Sequence, residues 1–282
     1  KLDVVPSSHE DAERIRHLIE LGIEQEQASQ AIVITEKRGT NSYFWLPSNP
    51  GGYGDWFDGI NDRFLKENIA EKKAAFFREN RHLFAAMASF EDVPDYYLRT
   101  TLQRVIQILK RHRDLFYERS DKTGKLKPAS VIITTLAAQI ARSSPSTRLD
   151  DLLTFVVSGI DNYVSLLRGV TPMSRFSGER NDFILKQGRK WIIANPVNPE
   201  DNYADSWTDE TASMFFRWVN AIQIDLVQTS PDKEKQYWAG MQAGLGTKFV
   251  DRALPHDPNE DVSGLEFKAQ PLQNPTKPWS RG

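Results

Sequence analysis

Lys110 and Ser130 are the residues of this chain whose types and spacing most directly suggest chemistry. Lys110 belongs to the run Gln107-Ile108-Leu109-Lys110-Arg111-His112-Arg113-Asp114, and Ser130 to Lys127-Pro128-Ala129-Ser130. An ammonium on one helix and a hydroxyl at the positive end of the next can together hold a phosphate. The stretch from Leu98 to Ala141 must position them. Leu98, Leu102, Val105 and Leu109 recur at spacings of four, three and four, one buried stripe of an amphipathic helix. Lys110 sits beside that stripe, in a row with Gln103, Ile106 and Arg113. The spacing places a polar loop after Asp114 and a second helix opening with Pro128 at its first position, where a missing N–H costs nothing. Ser130 then falls in the first turn, among free backbone N–H groups. A plainer reading stands beside this one: a solvated cationic run near a helix C-terminus, which the macrodipole already favours.

Composition narrows the function classes. The 282 residues carry a net charge of −2 with 26% charged residues, which argues against a stable nucleic-acid coat. The absence of cysteine excludes a disulfide scaffold and Cys-ligated zinc. His9, His17, His82, His112 and His256 show no metal-ligand spacing. No apolar run approaches the ~20 residues of a membrane span, and no signal-peptide pattern heads the sequence. Together these predict a cytoplasmic protein with no membrane partner.

In chain order, Lys1-Leu2-Asp3-Val4-Val5-Pro6 reads as a short strand. Strands disfavour Asp, so Asp3 reads either as a working carboxylate or as a turn residue at a strand end. Ser8 is the expected cap of a helix reaching Leu21, with Ala12, Ile15, Leu18 and Ile19 inward and Gly22 as the stop. Gln30–Glu36 and Tyr43–Leu46 form an expected hairpin. Ser48 to Phe57 reads as a glycine-rich loop, with Trp45, Trp56 and Phe57 as core anchors. A charged helical stretch follows to about Met87. After Ala141, a helix buries Leu149, Leu152, Leu153, Val156 and Ile160. Asn195–Trp207, with two Asn-Pro pairs, reads as a turn bonded to its own backbone. Thr208 caps a helix whose inner face is Phe215, Val219, Ile222 and Leu226. From 246 onward the chain reads as an extended tail.

Four stretches in this order resemble one family: Leu2-Asp3-Val4-Val5-Pro6, Ser48-Asn49-Pro50 through Asp55-Trp56-Phe57, Ile108–Asp114 followed by Pro128-Ala129-Ser130, and Asn195-Pro196 through Asn202. Together they resemble the bacterial cyclic-oligonucleotide synthases of anti-phage signalling systems, relatives of oligoadenylate synthase and cyclic GMP-AMP synthase. The resemblance implies an α+β fold: the distal part of a polymerase-β-like nucleotidyltransferase lobe over 1–90, a helical lobe over 91–245 that closes on the donor nucleotide, and the tail over 246–282. It implies nucleoside triphosphates, ATP among them, as substrates, and two magnesium ions that align an acceptor 3′-hydroxyl with the donor α-phosphate. Asp3 would be a catalytic carboxylate that ligates the metal on the acceptor side and helps draw off the hydroxyl proton. Lys110 and Ser130 would hold the donor triphosphate. Asn202 matches a turn near the donor base, with a self-bonded structural turn as the equal alternative. Gly282 would be a conjugation point for a ubiquitin-like ligation enzyme acting at the C-terminus.

The family's Gly-Ser turn and Asp-x-Asp pair precede the third acid, and the sequence offers neither ahead of Lys1. A lone Asp3 cannot ligate two octahedral magnesium ions. The expectation is therefore a distal piece whose N-terminal segment supplies the missing motifs, with a truncated inactive relative as the other explanation. Function classes from outside the synthase reading are a non-catalytic nucleotide-binding or scaffold relative, and a linear adenylyl or tRNA-end-adding transferase.

Overall fold

A computed structural model of the chain describes residues 6–38, 42–66, 69–79, 81, 89–93, 98–121, 123–167, 183–228 and 234–253. It is α+β: helices build the core, and three small antiparallel sheets lie around them.

The first sheet has the order β1 (Ser7–His9), β2 (Ile32–Arg38), β3 (Ser42–Ser48), with Ser8 opposite Val33 and Thr35 opposite Trp45. Because Ser8 is taken into this ladder, the cap of α1 (Ala12–Glu20) is Asp11, whose carboxylate accepts the Arg14 N–H at 2.7 Å. Ala12 and Ile19 face solvent, and Leu18 carries the burial. Gly22 ends the segment at φ +91°, a conformation only glycine adopts without strain. The hairpin is present, but Trp45 is no core anchor. Tyr43, Phe44 and Trp45 are 65%, 48% and 59% exposed on the edge strand.

The glycine-rich stretch is not a loop. It is the start of α3 (Pro50–Lys66), with Pro50 at the first helical position. Asn49 caps it, accepting from the Gly52 N–H at 2.9 Å and donating to the Gln27 carbonyl at 2.8 Å. The glycines serve close packing on α2 (Gln25–Ala28): a Cβ at Gly52 would stand 2.6 Å from the Gln27 carbonyl oxygen. Trp56, Ile60 and Phe64 are the buried face of α3. After α4 (Ile69–Glu79) and a 3₁₀ turn at Phe90–Asp92, the chain enters its longest helix.

That helix, α5 (Thr101–Ser120), begins with a capping box. The Thr100 hydroxyl accepts from the Gln103 N–H, and the Gln103 side chain accepts from the Thr100 N–H. Leu98 thus lies just ahead of the helix, and Leu102, Val105 and Leu109 form its buried stripe. The helix continues six residues past Asp114 and ends at Asp121. The Asp121 carboxylate accepts from the N–H groups of Thr123 and Leu126 and from the Thr123 hydroxyl, knotting the loop. Next comes α6 (Ser130–Ala141), apolar on nearly every side and packed between α5, α7 (Leu149–Leu167) and α3. Its last carbonyls, with that of Ser144, are taken by Arg63 of α3, at 3.0 Å for Ala141, 3.3 Å for Arg142 and 2.7 Å for Ser144. Leu152, Val156 and Ile160 bury α7, while Leu149 stays in solvent.

Two short ribbons follow: β4 (Leu185–Gln187) with β5 (Lys190–Ile192), and β6 (Ala194–Asn195) with β7 (Asn198–Asn202). Thr208 caps α8 (Asp209–Ile222), whose buried Phe215, Val219 and Ile222 continue to Leu226 through a π-helical turn at Gln223–Val227. Beyond α9 (Glu234–Leu245) the expected extended tail gives way to another helix. Gly246, at φ +92°, turns the chain into α10 (Thr247–Ala253), and Val250 is buried against the core. The remainder of the tail, 254–282, lies outside the described residues. No helix among the described residues is long and apolar enough to cross a membrane.

Candidate functional site

The C-terminal half of α5, the loop behind it and the start of α6 meet at one place. Four successive residues of α5 turn by about 100° each, so the cationic run fans outward. Arg111 donates to the Leu245 carbonyl at 3.2 Å, and buried His112 bonds the Asp225 carboxylate at 3.1 Å. Arg113 turns toward α6 and is only 6% exposed. Its Nε and Nη2 donate to one oxygen of Asp114 at 2.9 and 2.7 Å. Its Nη1 donates to the Pro128 carbonyl and to the Ser130 hydroxyl oxygen, both at 3.1 Å. Lys127 stands 3.6 Å from the same Asp114 oxygen.

Lys110 lies one turn before Arg113 and is half-buried. Burial, and then the Arg113 charge, pull its ammonium below the ordinary lysine range, with Asp114 opposing them. Ser130 is the first residue of α6 and is exposed. The residue before it is Ala129, which has no side chain that could cap the helix. Pro128 lies two positions ahead of the helix, not at its first position, so its carbonyl is the one Arg113 reaches. Three cations (Lys110, Arg113 and Lys127) against one carboxylate, beside a helix start with no side-chain cap, make a local positive potential that suits an anion with several oxygens.

Of the residues singled out from the sequence, Lys110 and Ser130 are thus linked through Arg113, the side chain that sequence reasoning left without a role. Its signal was available: it is the i+3 neighbour of Lys110 and precedes an aspartate. Asn202 is committed to its turn. Its Oδ1 accepts from the N–H groups of Ile193 and Ala204 at 2.9 and 3.0 Å, and its Nδ2 donates to the Trp191 carbonyl at 2.8 Å. Asn195 does the same locally, accepting from Val197 and donating to Asp201. Beside this turn Tyr203 is buried and feels Tyr53, and both factors raise its hydroxyl pKa. The Tyr53 hydroxyl is itself pushed up to about 12 by burial and bonds the Thr135 hydroxyl at 2.9 Å. Asp3 and Gly282 lie outside the described residues. Among those described, no group of three or more His, Asp or Glu side chains could hold a metal ion. An open cleft of about 540 Å³ bounded by Trp56, Arg63, Arg142 and Pro196 contains none of the predicted site residues, and its Arg63 is already committed to the end of α6.

No protein-family model matches the chain, and no solved structure matches it. Two curated bacterial proteins do. A c-di-GMP synthase from Roseivirga ehrenbergii is 25% identical over 195 residues, covering 68% of this chain and 42% of its own. The cyclic dinucleotide synthase CdnG from Bradyrhizobium diazoefficiens is 24% identical over 227 residues, covering 77% and 49%. The chain is a distant relative of the bacterial cyclic-dinucleotide synthases. It spans about half the length of the two curated synthases it matches.

Proposed function

We propose that this synthase relative binds the triphosphate of a donor nucleotide at Lys110 and Ser130, as part of a nucleotidyltransferase that makes a cyclic di- or trinucleotide signal for anti-phage defence. The observation that carries this reading is the convergence of Lys110, Arg113 and Lys127 on a helix start without a side-chain cap, opposed by Asp114 alone. In the proposed reaction an acceptor 3′-oxygen forms a bond to the donor α-phosphorus, and the bond to the β-phosphate oxygen breaks. Negative charge then builds on departing pyrophosphate. An ammonium and a hydroxyl already placed against it stabilise that charge without rearranging. A second transfer closes the ring.

The resemblance assigns two magnesium ions to the intact site, with Asp3 as one ligand. The described residues supply no carboxylate cluster that fits them, so no step through the metal is assigned to these residues. The division into a nucleotidyltransferase part (1–90) and a helical lobe (91–245) is part of the same proposal, as are conjugation through Gly282 and a further segment supplying the missing motifs.

Two measurements test the reading. The full-length gene product, incubated with four nucleoside triphosphates and magnesium, is expected to yield a cyclic oligonucleotide on chromatography. Linear products would point to an end-adding transferase, and binding without product to a non-catalytic relative. Lys110→Ala is expected to weaken triphosphate binding roughly 10- to 100-fold, the loss of one charge-assisted contact worth about 1.5–3 kcal/mol. Unchanged affinity in that variant would overturn the assignment.

A further inference from the structure

We propose that Arg113 is a positioning residue: it fixes the Ser130 hydroxyl so that its proton points outward, toward bound polyphosphate. The proposal rests on the reading of Ser130 as a phosphate contact and adds the group that makes the contact effective.

A serine hydroxyl has one proton and two lone pairs. At Ser130 one lone pair is taken by Arg113 Nη1 at 3.1 Å, so the proton cannot lie on that side. A serine inside a helix usually turns its proton back to the carbonyl one turn earlier. Ser130 is the first residue of α6 and has no such helical carbonyl. Thr134, one turn later, does use that route, donating to the Ser130 carbonyl at 2.9 Å. The Ser130 oxygen is bonded only to Arg113, and the residue is exposed. Its proton is therefore directed into the positive field at the start of α6, where an anionic oxygen is the natural acceptor.

Arg113 can hold this geometry because it is itself held on three sides. Asp114 takes Nε and Nη2, and the Pro128 carbonyl shares Nη1 with the serine. A lysine at this position would keep the charge and lose the planar fork that reaches Asp114, Pro128 and Ser130 together.

The test is a double-mutant cycle on the whole chain, with inorganic tripolyphosphate as the probe and calorimetric titration as the readout. The proteins are wild type, Arg113→Lys, Ser130→Ala and the double variant. If Arg113 acts through Ser130, Arg113→Lys weakens binding about three- to tenfold in wild type and leaves Ser130→Ala nearly unchanged. An equal loss on both backgrounds means Arg113 serves as bulk charge or scaffold, and the positioning proposal falls while the phosphate reading stands. If Ser130→Ala alone binds as wild type does, both fall. Should Arg113→Lys lose the native circular-dichroism spectrum, Asp114→Asn takes its place. That variant loosens the guanidinium from the opposite side, and the same non-additivity with Ser130→Ala is required.

Discussion

A lysine drawn half out of water beside an arginine is held in the folded state at some cost, and that cost has a sign. The Lys110 pKa is lowered first by burial and then by Arg113. Between the lowered value and the ordinary one the unfolded chain binds more protons, so the stability contributed at this position rises with pH. At neutral pH the charged ammonium therefore works against folding, and a bound polyanion relieves it. Lys110→Met is expected to raise the melting temperature of the ligand-free protein by about 2–4 °C while removing the stabilisation that triphosphate confers. The gap between variant and wild type should narrow as the pH climbs toward the lowered value. Scanning calorimetry with and without ligand checks both, and a ligand-free variant that melts below wild type contradicts the account. Lys110 and Ser130 could be picked out of the sequence because each position follows from local rules, a helical row and a first turn. Arg113 could not be singled out among four neighbouring cations, because which of them turns inward is set by where α6 packs. Asn202 was legible as a turn residue, and its three main-chain bonds are what that reading predicts.

At the scale of the element, α3 shows how far propensity can mislead. Three glycines within five residues read as loop because each costs a helix about 0.5–1 kcal/mol relative to alanine. Here that cost is offset by packing, since α2 lies so close that a methyl group at Gly52 has nowhere to go. Gly52→Ala is expected to destabilise the protein by about 1–3 kcal/mol, the usual range for overpacking against backbone. Gly59, in the same helix, has nothing within 4 Å of an added Cβ. Gly59→Ala should stabilise by about 0.5–1 kcal/mol. Urea melts of the pair, read against wild type, give opposite signs if the explanation is right and the same sign if it is not. The helices with clear stripes were legible: α5 from Leu102 to Leu109, α7 from Leu152 to Ile160, and α8 with its Thr208 cap. The α5 start was readable too, as Thr100-Leu-Gln-Gln103 spacing gives a capping box once Leu98 is not forced into the stripe. The helix over Thr247–Ala253 was hidden because it is short and gains its burial from a single residue, Val250.

Across the whole molecule, the two ends of the described chain are tied by a polar clasp that no local pattern announces. Arg14 of α1 donates to Glu200 at 2.5 Å and to the Asn198 side chain at 2.9 Å, and the His17 ring meets the other Glu200 oxygen at 2.9 Å. These partners lie more than 180 residues apart in sequence, which is why periodicity and propensity are silent about them. The hydrogen bonds from His17 and Arg14, in that order, hold the Glu200 carboxyl below its usual value of 4.5. A lowered folded pKa means that this contribution is present above the ordinary glutamate value and is lost as the pH falls through the lowered one. The melting temperature should therefore drop on acidification below about pH 4.5, and the drop should be shallower in Glu200→Gln. Identical acid profiles for the two proteins would show that the clasp does not couple to folding. The exposed hairpin carries one more consequence. Trp56, Trp191, Trp207 and Trp218 are buried and Trp238 is partly so, which leaves Trp45 as the one described indole standing largely in water. It is a natural optical reporter: its emission is open to collisional quenchers that the interior indoles escape, and whatever comes to cover β3 would shield it.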